Sequence, residues 1–464
     1  MEPLKVSEIA AAVQGELFRG DREVTVSSVA IDSRLVKAGE LFIALVGKRF
    51  DGHQFVAEAV RNGAGAVMVS NLNFLRDAGS VPVIRVVDTK NGLLDFARWY
   101  RQRLNSRVVA ITGSNGKTTT KELLAQLLAV RYRVVKAPAS FNNDIGVPLT
   151  VLQMNRNTEV GIFEIEMNEL GGTSRLARLC QPEIGIVTNV GDTHLEFMKD
   201  RTGVAKEKSE LVAALPATGV AILNFDDPLV MKFRRPGIRT VTFGMQAGAD
   251  VFPAEIRERR LGGVEFKLLG RYPVRLPFPG RHNIYNFLAA AAAAHELGLK
   301  WEELTGPAMH AYLPPQRLGI QNLGSVVLID DCFNANPQSM AAALAVLADS
   351  APPKNRVAIL GDMLELGSQA EELHRILGKD AARVVDRLVV VGRLAQFIAE
   401  GARAAGLAPE QLKVYPDSIS IGDDLFDIFK AGDIILVKGS RAMALENIVR
   451  KIVRYYGAKR DQVY

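Results

Sequence analysis

A short glycine-rich loop at residues 112–119 carries the clearest chemical signal in this sequence. It reads TGSNGKTT, follows a run of β-branched residues and precedes a helical pattern. Glycines let backbone N–H groups approach phosphate oxygens, and a helix N-terminus adds partial positive charge. Lys117 can reach the β- and γ-phosphates of ATP, and the Thr118 hydroxyl can bind Mg²⁺. The predicted phosphate-binding residues are Gly113, Ser114, Asn115, Gly116, Lys117, Thr118 and Thr119.

The loop is shorter than the usual GxxxxGK[ST] pattern, because Ile111 stands at the position of the outer glycine. A glycine-rich turn between a strand and a helix, without any ligand, is the alternative interpretation. The Lys-Thr-Thr sequence and the strand–helix context favour phosphate binding.

Two carboxylates and one histidine follow neighbouring strand candidates. Glu164 and Glu166 lie in GIFEIEM, and the period-two alternation of a strand places them on the same side. Glu166 is nearer the carboxyl end, where ligands bind in open α/β sheets, and we predict that it is the metal ligand that phosphoryl transfer requires. His194 follows the next candidate in GDTHLEF. The alternative interpretation is that the two glutamates are solvent-exposed residues at a strand end and that His194 is an ordinary surface residue.

Short apolar runs alternate with helical patterns along the whole chain, which predicts an α/β fold. We expect three domains: residues 1–105, a central ATP-binding domain at 106–313 with a mostly parallel sheet, and a doubly wound domain at 314–464. The strand candidates are residues 41–45, 66–69, 81–87, 160–165, 184–189, 220–224, 326–329, 357–360, 388–391 and 434–437, with a β-rich patch at 240–276. The helix candidates that frame these runs include residues 53–62 and 283–297.

Composition and the N-terminal residues predict a soluble, cytoplasmic protein, and the small excess of positive charge gives weak support for anionic small-molecule substrates. Of 464 residues, 48% are hydrophobic and 23% charged, as in ordinary globular domains. The net charge of +6 is not gathered into a basic tail, so we expect no nucleic-acid binding. Cys180 and Cys332 match no metal or disulfide spacing. The N-terminal residues lack a signal-peptide pattern, and the longest apolar run, after Asn286, is too short for a membrane span.

Motifs in all three predicted domains occur in a fixed order. In chain order they are the N-terminal segment 31–55, GSNGKTT, FNNDIGVP (141–148), the dipeptide EM, DTHLE, LNFDD, GRHNIYN, DDCFNANPQSM, LGDMLELG (360–367) and KGSRAM (438–443). This series resembles the Mur ligases, which build the peptide of bacterial peptidoglycan. Within that family it is most similar to the ligases that use ATP to join UDP-N-acetylmuramoyl-tripeptide to D-alanyl-D-alanine through an acyl phosphate.

The resemblance implies an N-terminal domain that binds the UDP-muramoyl substrate, a central P-loop domain and a Rossmann-like C-terminal domain. A monomer is the simplest expectation. It assigns nucleotide contacts to Asn283, Asn286, Arg317 and Asp331, and substrate contacts to Ser33, Arg34, Asn142, Asn143 and Asn336. It implies two Mg²⁺ ions held by Thr118, Glu166, His194 and an N-carboxylated Lys208, with Lys206 as the less favoured neighbour. Its catalytic residues correspond to Lys117, His194, Lys208 and Asn334.

The sequence also departs from the family pattern. The segment EMNELGGTS is about two residues short and has Glu169 near the usual histidine, so the roles of Asn168 and Glu169 stay open. Phe333 replaces a tyrosine and Cys332 a serine. Two rival functions remain. A sister amide ligase that adds one amino acid would be expected to carry a DNPR motif, which is absent. The other rival function is a P-loop NTPase that uses nucleotide hydrolysis to switch a binding partner.

Overall fold

The computed structural model describes residues 1–47, 50–75, 79–350, 352 and 355–460, with side chains to 457 in the last helix. It confirms the predicted α/β fold with several mostly parallel sheets. Two residues of the 31–55 motif and the last four of the predicted C-terminal domain lie outside the described residues.

The N-terminal sheet has five strands in the order β2-β7-β6-β5-β4, parallel except for β2 against β7, and β1 pairs separately with β3. The strands are β1 (Leu4–Lys5), β2 (Glu16–Arg19), β3 (Thr25–Val26), β4 (Val29–Ala30), β5 (Leu41–Ile43), β6 (Ala66–Val69) and β7 (Val83–Arg85). The helices are α1 (Val6–Ala12), α2 (Val56–Arg61) and α3 (Thr89–Arg101). The predicted helix 53–62 splits, because Asp51 first caps a 3₁₀ turn at Gly52–Phe55.

The central sheet has six parallel strands in the order β13-β12-β11-β8-β10-β9. The strands are β8 (Arg107–Thr112), β9 (Val134–Lys136), β10 (Val160–Glu164), β11 (Ile184–Val187), β12 (Val220–Asn224) and β13 (Arg239–Phe243), followed by an antiparallel sheet of β14 (Pro253–Glu258), β15 (Val264–Leu268) and β16 (Tyr272–Leu276). The helices are α4 (Lys117–Leu128), α5 (Gly146–Val151), α6 (Gly172–Cys180), α7 (Leu195–Met198), α8 (Arg201–Ala213), α9 (Arg281–Glu296) and α10 (Trp301–Met309).

The strand order of the central sheet positions the predicted site. β8 lies between β10 and β11, so the segments that follow these three strands meet at one edge of the sheet. Both faces of β8 are covered, which explains its uninterrupted apolar sequence. The Ala-rich run of α9 is buried on all sides against α4, since small side chains allow close helix approach.

The C-terminal sheet has the order β17-β18-β22-β19-β20-β21 and is parallel except for β17 against β18. The strands are β17 (Gly319–Asn322), β18 (Val327–Asp330), β19 (Arg356–Gly361), β20 (Arg387–Val391), β21 (Leu412–Tyr415) and β22 (Ile434–Lys438). The helices are α11 (Pro337–Ser350), α12 (Ala370–Ala382), α13 (Ala395–Ala404) and α14 (Glu446–Arg460).

Apolar packing continues from each domain into the next. One buried cluster joins α3 of the N-terminal domain to α5 and α6 of the central domain, and another joins α8 to α11 of the C-terminal domain. The C-terminal domain therefore lies closed against the central one. None of the helices in the described part of the chain combines the length and apolar character needed to cross a membrane.

Candidate active site

The glycine-rich loop connects β8 to α4 at the centre of the sheet. Gly113 and Gly116 have φ of 139° and 84°, in the region that favours glycine. A Cβ on Gly113 would lie 2.0 Å from Thr188 Oγ1, so no larger residue fits. The Ser114 N–H donates to Asn189 O and the Asn115 N–H to Asn189 Oδ1, each at 2.9 Å.

These contacts refine the roles predicted for the loop. Since Asn189 takes the N–H groups of Ser114 and Asn115, the first turn of α4 is left to offer backbone donors to phosphate. The side chain of Ser114 accepts from the Gly191 N–H at 2.8 Å, and that of Asn115 accepts from Asn336 at 2.7 Å. Ser114 and Asn115 therefore fix the shape of the loop.

Four charged or titratable side chains form a continuous chain beside the loop. Lys117 Nζ lies 2.7 Å from Glu166 Oε1, and it also donates to Gly113 O at 2.7 Å. His194 Nε2 lies 3.3 Å from the same Glu166 oxygen, and His194 Nδ1 lies 2.5 Å from Glu365 Oε2. The described structure thus brings together three residues predicted from sequence and one, Glu365, to which no role was assigned.

The two central members of this chain have shifted pKa values. Burial raises the pKa of Glu166, but the charge of Lys117 and the hydrogen bond from His194 outweigh it, and the pKa lies well below its usual range. Burial lowers the pKa of His194, but hydrogen bonds to Glu166 and Glu365 raise it to about 9. The site therefore holds a carboxylate anion flanked by two cations.

Asn142 bridges the two predicted carboxylates. Its Nδ2 donates to Glu164 Oε1 at 2.9 Å and to Glu166 Oε2 at 3.2 Å, which shows that both point to the same side as predicted. Glu166 itself lies two residues beyond the end of β10. Glu164 is buried, 3.9 Å from the buried ammonium of Lys121. Asn142 thus orients the carboxylates in addition to any contact with substrate.

Lys208 lies in α8 and is fully buried. Its Nζ is 2.6 Å from Glu207 Oε2 but has no hydrogen-bond partner of acceptable geometry. Its charge helps to lower the pKa values of both Glu166 and His194. The alternative residue, Lys206, is exposed on the same helix.

Two adjoining cavities flank the loop. The first, of about 440 Å³, is lined by Asn283, Asn286, Arg317 and Asp331, and so contains all four residues predicted to contact the nucleotide. Asn283 and Asn286 are buried and hydrogen-bonded to each other at 3.1 Å. The second cavity, of about 390 Å³, is lined by Lys117, Thr118, Glu166, His194 and Asn334.

The C-terminal domain contributes side chains to both cavities. The Arg317 guanidinium lies 4.3 Å from the centre of the Phe333 ring and 3.5 Å from Thr118 Oγ1. Phe333, which has no hydroxyl, thus supports Arg317 by a cation–π contact. Lys438 Nζ donates to Asp331 Oδ2 at 2.7 Å and to the Asn334 carbonyl at 3.0 Å.

The residues predicted to contact the UDP-muramoyl substrate lie outside the two cavities, apart from Asn336. Ser33 is buried and donates to Glu58 at 2.6 Å, whereas Arg34 is exposed and paired with Asp32. Asn143 Oδ1 accepts two N–H groups at the start of α5. In the shortened segment, Glu169 pairs with Arg175 at 2.8 Å. These contacts fix local structure, and roles in substrate binding remain predictions.

Comparison with known proteins gives matches over nearly the whole chain. The family models of the Mur ligase family catalytic domain, the Mur ligase middle domain and the Mur ligase glutamate ligase domain match residues 25–101, 111–294 and 316–441. The chain belongs to the Mur ligase family. This confirms the resemblance found in the sequence.

Curated relatives and solved structures within the Mur ligase family are similar to this chain over nearly its whole length. The UDP-N-acetylmuramoyl-tripeptide–D-alanyl-D-alanine ligase of Bacillus subtilis is 35% identical over 97% of this chain and 98% of its own. The crystal structure of MurF from Acinetobacter baumannii has a TM-score of 0.88 at 30% identity, covering 98% and 99% of the chains. MurF from Thermotoga maritima in complex with ADP has a TM-score of 0.81 at 27% identity, covering 94% and 99%.

The Mg²⁺ ions implied by the family can be tested against these side chains. Within the described ranges, no three His, Cys, Asp or Glu side chains are grouped as a metal site. Glu166, His194 and the Thr118 hydroxyl nevertheless line one cavity beside the phosphate loop. Mg²⁺ needs only one or two carboxylates when substrate phosphates and water complete its shell. The buried Lys208 ammonium, which is ion-paired with Glu207 but makes no hydrogen bond, would become an oxygen ligand on N-carboxylation. These residues therefore fit the group.

Several site residues of this Mur ligase were missed by sequence reasoning. Asn189 shapes the loop, Lys438 holds Asp331, and Glu365 contacts His194. The motifs KGSRAM and LGDMLELG contain the last two, but nothing in their spacing indicates the partner. Their partners are 107 and 171 residues away, so only the tertiary structure reveals the contacts.

Proposed function

We propose that the chain is an ATP-dependent amide ligase that adds D-alanyl-D-alanine to UDP-N-acetylmuramoyl-tripeptide in peptidoglycan precursor synthesis. The observation that carries the proposal is the full-length similarity to ligases named for this activity, at 35% identity over 97% of the chain. The phosphate loop at the centre of the sheet agrees with the use of ATP in this family.

The reaction proceeds through an acyl phosphate. The tripeptide carboxylate attacks the γ-phosphorus of ATP, and the bond to the β,γ-bridging oxygen breaks to release ADP. The amine of D-alanyl-D-alanine then attacks the acyl carbon, the bond from that carbon to the phosphorylated oxygen breaks, and phosphate leaves with this former carboxylate oxygen as a proton is lost from nitrogen. Because the carboxylate and the triphosphate are both anionic, the first step needs positive charge at the γ-phosphate, which Lys117 supplies.

Glu166 and His194 are assigned as ligands of the metal ion. When bound, Mg²⁺ neutralises phosphate charge and polarises the transferred phosphoryl group. Glu166, the Thr118 hydroxyl and His194 are the residues that would hold it, together with Lys208 after N-carboxylation. The fully buried Lys208 Nζ, which makes no hydrogen bond, supports this modification, because N-carboxylation would turn the cation into an anion able to bind metal. Measuring the mass of the intact protein with and without bicarbonate tests this assignment.

The C-terminal domain acts on the incoming amine. Asn334 is exposed to the reaction cavity, and its backbone is held by Lys438. We assign Asn334 to orienting D-alanyl-D-alanine, and Asn336 to holding the loop through Asn115. Closure of this domain excludes water, which would otherwise hydrolyse the acyl phosphate.

The remaining assignments complete the proposal. Ser33 and Arg34 belong to the uridine-binding surface, and Asn142 and Asn143 to the loop that meets the muramoyl peptide. The domains divide after residues 105 and 313, and the enzyme is a cytoplasmic monomer. Sedimentation equilibrium tests the monomer, since a dimer would double the apparent mass.

The test is phosphate release from ATP and Mg²⁺ with UDP-N-acetylmuramoyl-tripeptide, with and without D-alanyl-D-alanine, together with the mass of the product. Release that requires both substrates and yields the pentapeptide supports the proposal. Release with neither substrate indicates the NTPase switch. Release only with a UDP-muramoyl-dipeptide, or a folate, and one amino acid indicates a sister ligase.

A further inference from the structure

Glu365 of the C-terminal domain contacts the predicted metal ligand His194 of the central domain. Its Oε2 lies 2.5 Å from His194 Nδ1, and the other ring nitrogen faces Glu166 at 3.3 Å. The imidazole is thus held between a carboxylate of its own domain and a carboxylate of the domain that closes over it. Glu365 has no role in the proposed function so far.

Both members of the pair have an unusual backbone. His194 has φ of 55° and Glu365 has φ of 63°, although neither is glycine. Such conformations persist where the surroundings determine them, and they cluster at functional sites. Here the Glu196 N–H donates to the Glu365 carbonyl at 3.1 Å, and Gly367 packs on the backbone of Glu196. The two loops therefore fix each other when the domains are closed.

We propose that Glu365 is a positioning residue that orients the His194 imidazole, and that the cation site at His194 is completed only when the C-terminal domain closes. A carboxylate on Nδ1–H fixes the ring orientation, so that Nε2 presents its lone pair to a metal beside Glu166 once the metal has displaced the Nε2 proton. Because the orienting carboxylate comes from the closing domain, metal binding and closure are coupled. This inference rests on the proposed function.

An interdomain ion pair without such a role is the simpler explanation. The Glu365 side chain is 46% exposed, and an exposed pair of this kind would affect only stability. The two explanations differ in what happens to metal affinity at one site when the carboxylate is removed.

The experiment measures Mn²⁺ binding by electron paramagnetic resonance to the full chain, with UDP-N-acetylmuramoyl-tripeptide and a non-hydrolysable ATP analogue. The variants are Glu365→Ala and Glu365→Gln, with Glu372→Gln as the control. Glu372 is exposed on α12, and the change removes the same charge there. Ligase kinetics and ADP affinity are measured in parallel.

We expect wild type and Glu372→Gln to bind two Mn²⁺ ions. Glu365→Ala should bind one of them 10- to 100-fold more weakly, the usual effect of losing a partner that orients a metal-bound histidine. Its ADP affinity and its KM for ATP should stay unchanged while kcat falls. Glu365→Gln should recover part of the loss, since its amide oxygen still accepts from Nδ1–H.

Two results would overturn the inference alone: unchanged Mn²⁺ affinities in Glu365→Ala with only a lower melting temperature, or equal weakening at both ions. Both are read against a wild type that forms the pentapeptide. A wild type that binds no Mn²⁺ with the nucleotide analogue and forms no amide would instead refute the proposed function, and the inference with it.

Discussion

Gly116→Ala, compared with Gly171→Ala, tests whether the phosphate loop is shaped by Asn286. The two glycines are matched, since each precedes a helix, with φ of 84° and 85°. An alanine at either position carries the same left-handed backbone cost, about 1–2 kcal/mol. They differ in space: a Cβ on Gly116 would lie 2.2 Å from Asn286 Oδ1, whereas a Cβ on Gly171 would meet nothing within 4 Å.

The additional free-energy cost at Gly116 comes from the hydrogen bonds that Asn286 would lose. The clash is with the end of a side chain, so Asn286 can rotate, but it is buried and bonded to Asn283 and Thr120. Losing those two hydrogen bonds costs about 1 kcal/mol each. We therefore expect Gly116→Ala to be about 2 kcal/mol less stable than Gly171→Ala. Because Asn286 lines the nucleotide cavity, ADP affinity should also fall at least about tenfold, or about 1.4 kcal/mol.

Urea denaturation and calorimetric titration with ADP measure these differences. Each variant is compared with the same parent, so that the shared backbone cost cancels between the two glycines. Equal destabilisation of both variants, with ADP affinity retained in Gly116→Ala, would refute the reasoning. That result would mean that Asn286 moves aside without loss and does not shape the loop.

Three further predictions concern other parts of the chain. Lys117→Ala should lower the rate of phosphate release at least about 100-fold, as expected for loss of one preorganised charge, while the exposed Lys379→Ala should not; near-normal rates would contradict the phosphate-loop assignment. Arg387→Met should lower the free energy of unfolding by about 3–5 kcal/mol in urea denaturation, because it removes the cation that lies 2.7 Å from the fully buried Asp433 carboxylate. A loss under about 1 kcal/mol would show that stability does not depend on this ion pair. Burial lowers the pKa of His282 to about 4, although Asp331 opposes the shift, so the unfolded chain takes up this proton first as pH falls from about 6.5 to 4. Stability should therefore decline across that window, less so in His282→Gln; parallel curves would argue against a neutral, partly buried histidine.

The fold was predictable because its signals are local. Continuous apolar runs such as those of β6 and β12 gave strands whose bounds the structure reproduces at 66–69 and 220–224. Elsewhere the predicted strands were too long: the candidate at 81–87 forms a strand only at Val83–Arg85, and Val87 beyond its end is fully exposed. Apolar character alone does not show where pairing stops.

The site was only partly predictable, for a different reason. Lys117 and Glu166 belong to motifs whose residue types indicate phosphate and metal binding. Each follows a strand of the central sheet, and these strands are adjacent, so the two side chains meet at the same edge. Asn189 and Glu365 depend on which segments meet across the sheet and across the domain cleft, and no spacing encodes that. Asn142 carried a prediction of substrate contact, but its contacts to both carboxylates appear only once β10 and the loop before α5 lie side by side.

The alternation of charge across the site explains how one arrangement can serve both phosphate and metal. Lys117, Glu166, His194 and Glu365 follow one another with opposite signs, so each charge has a protein partner at 2.5 to 3.3 Å. An incoming phosphate that takes Lys117 removes a partner from Glu166, and a cation can replace it at little electrostatic cost. Binding is then an exchange of partners within fixed geometry, which requires little reorganisation. Since the last member comes from the C-terminal domain, the sequence of exchanges is complete only in the closed enzyme.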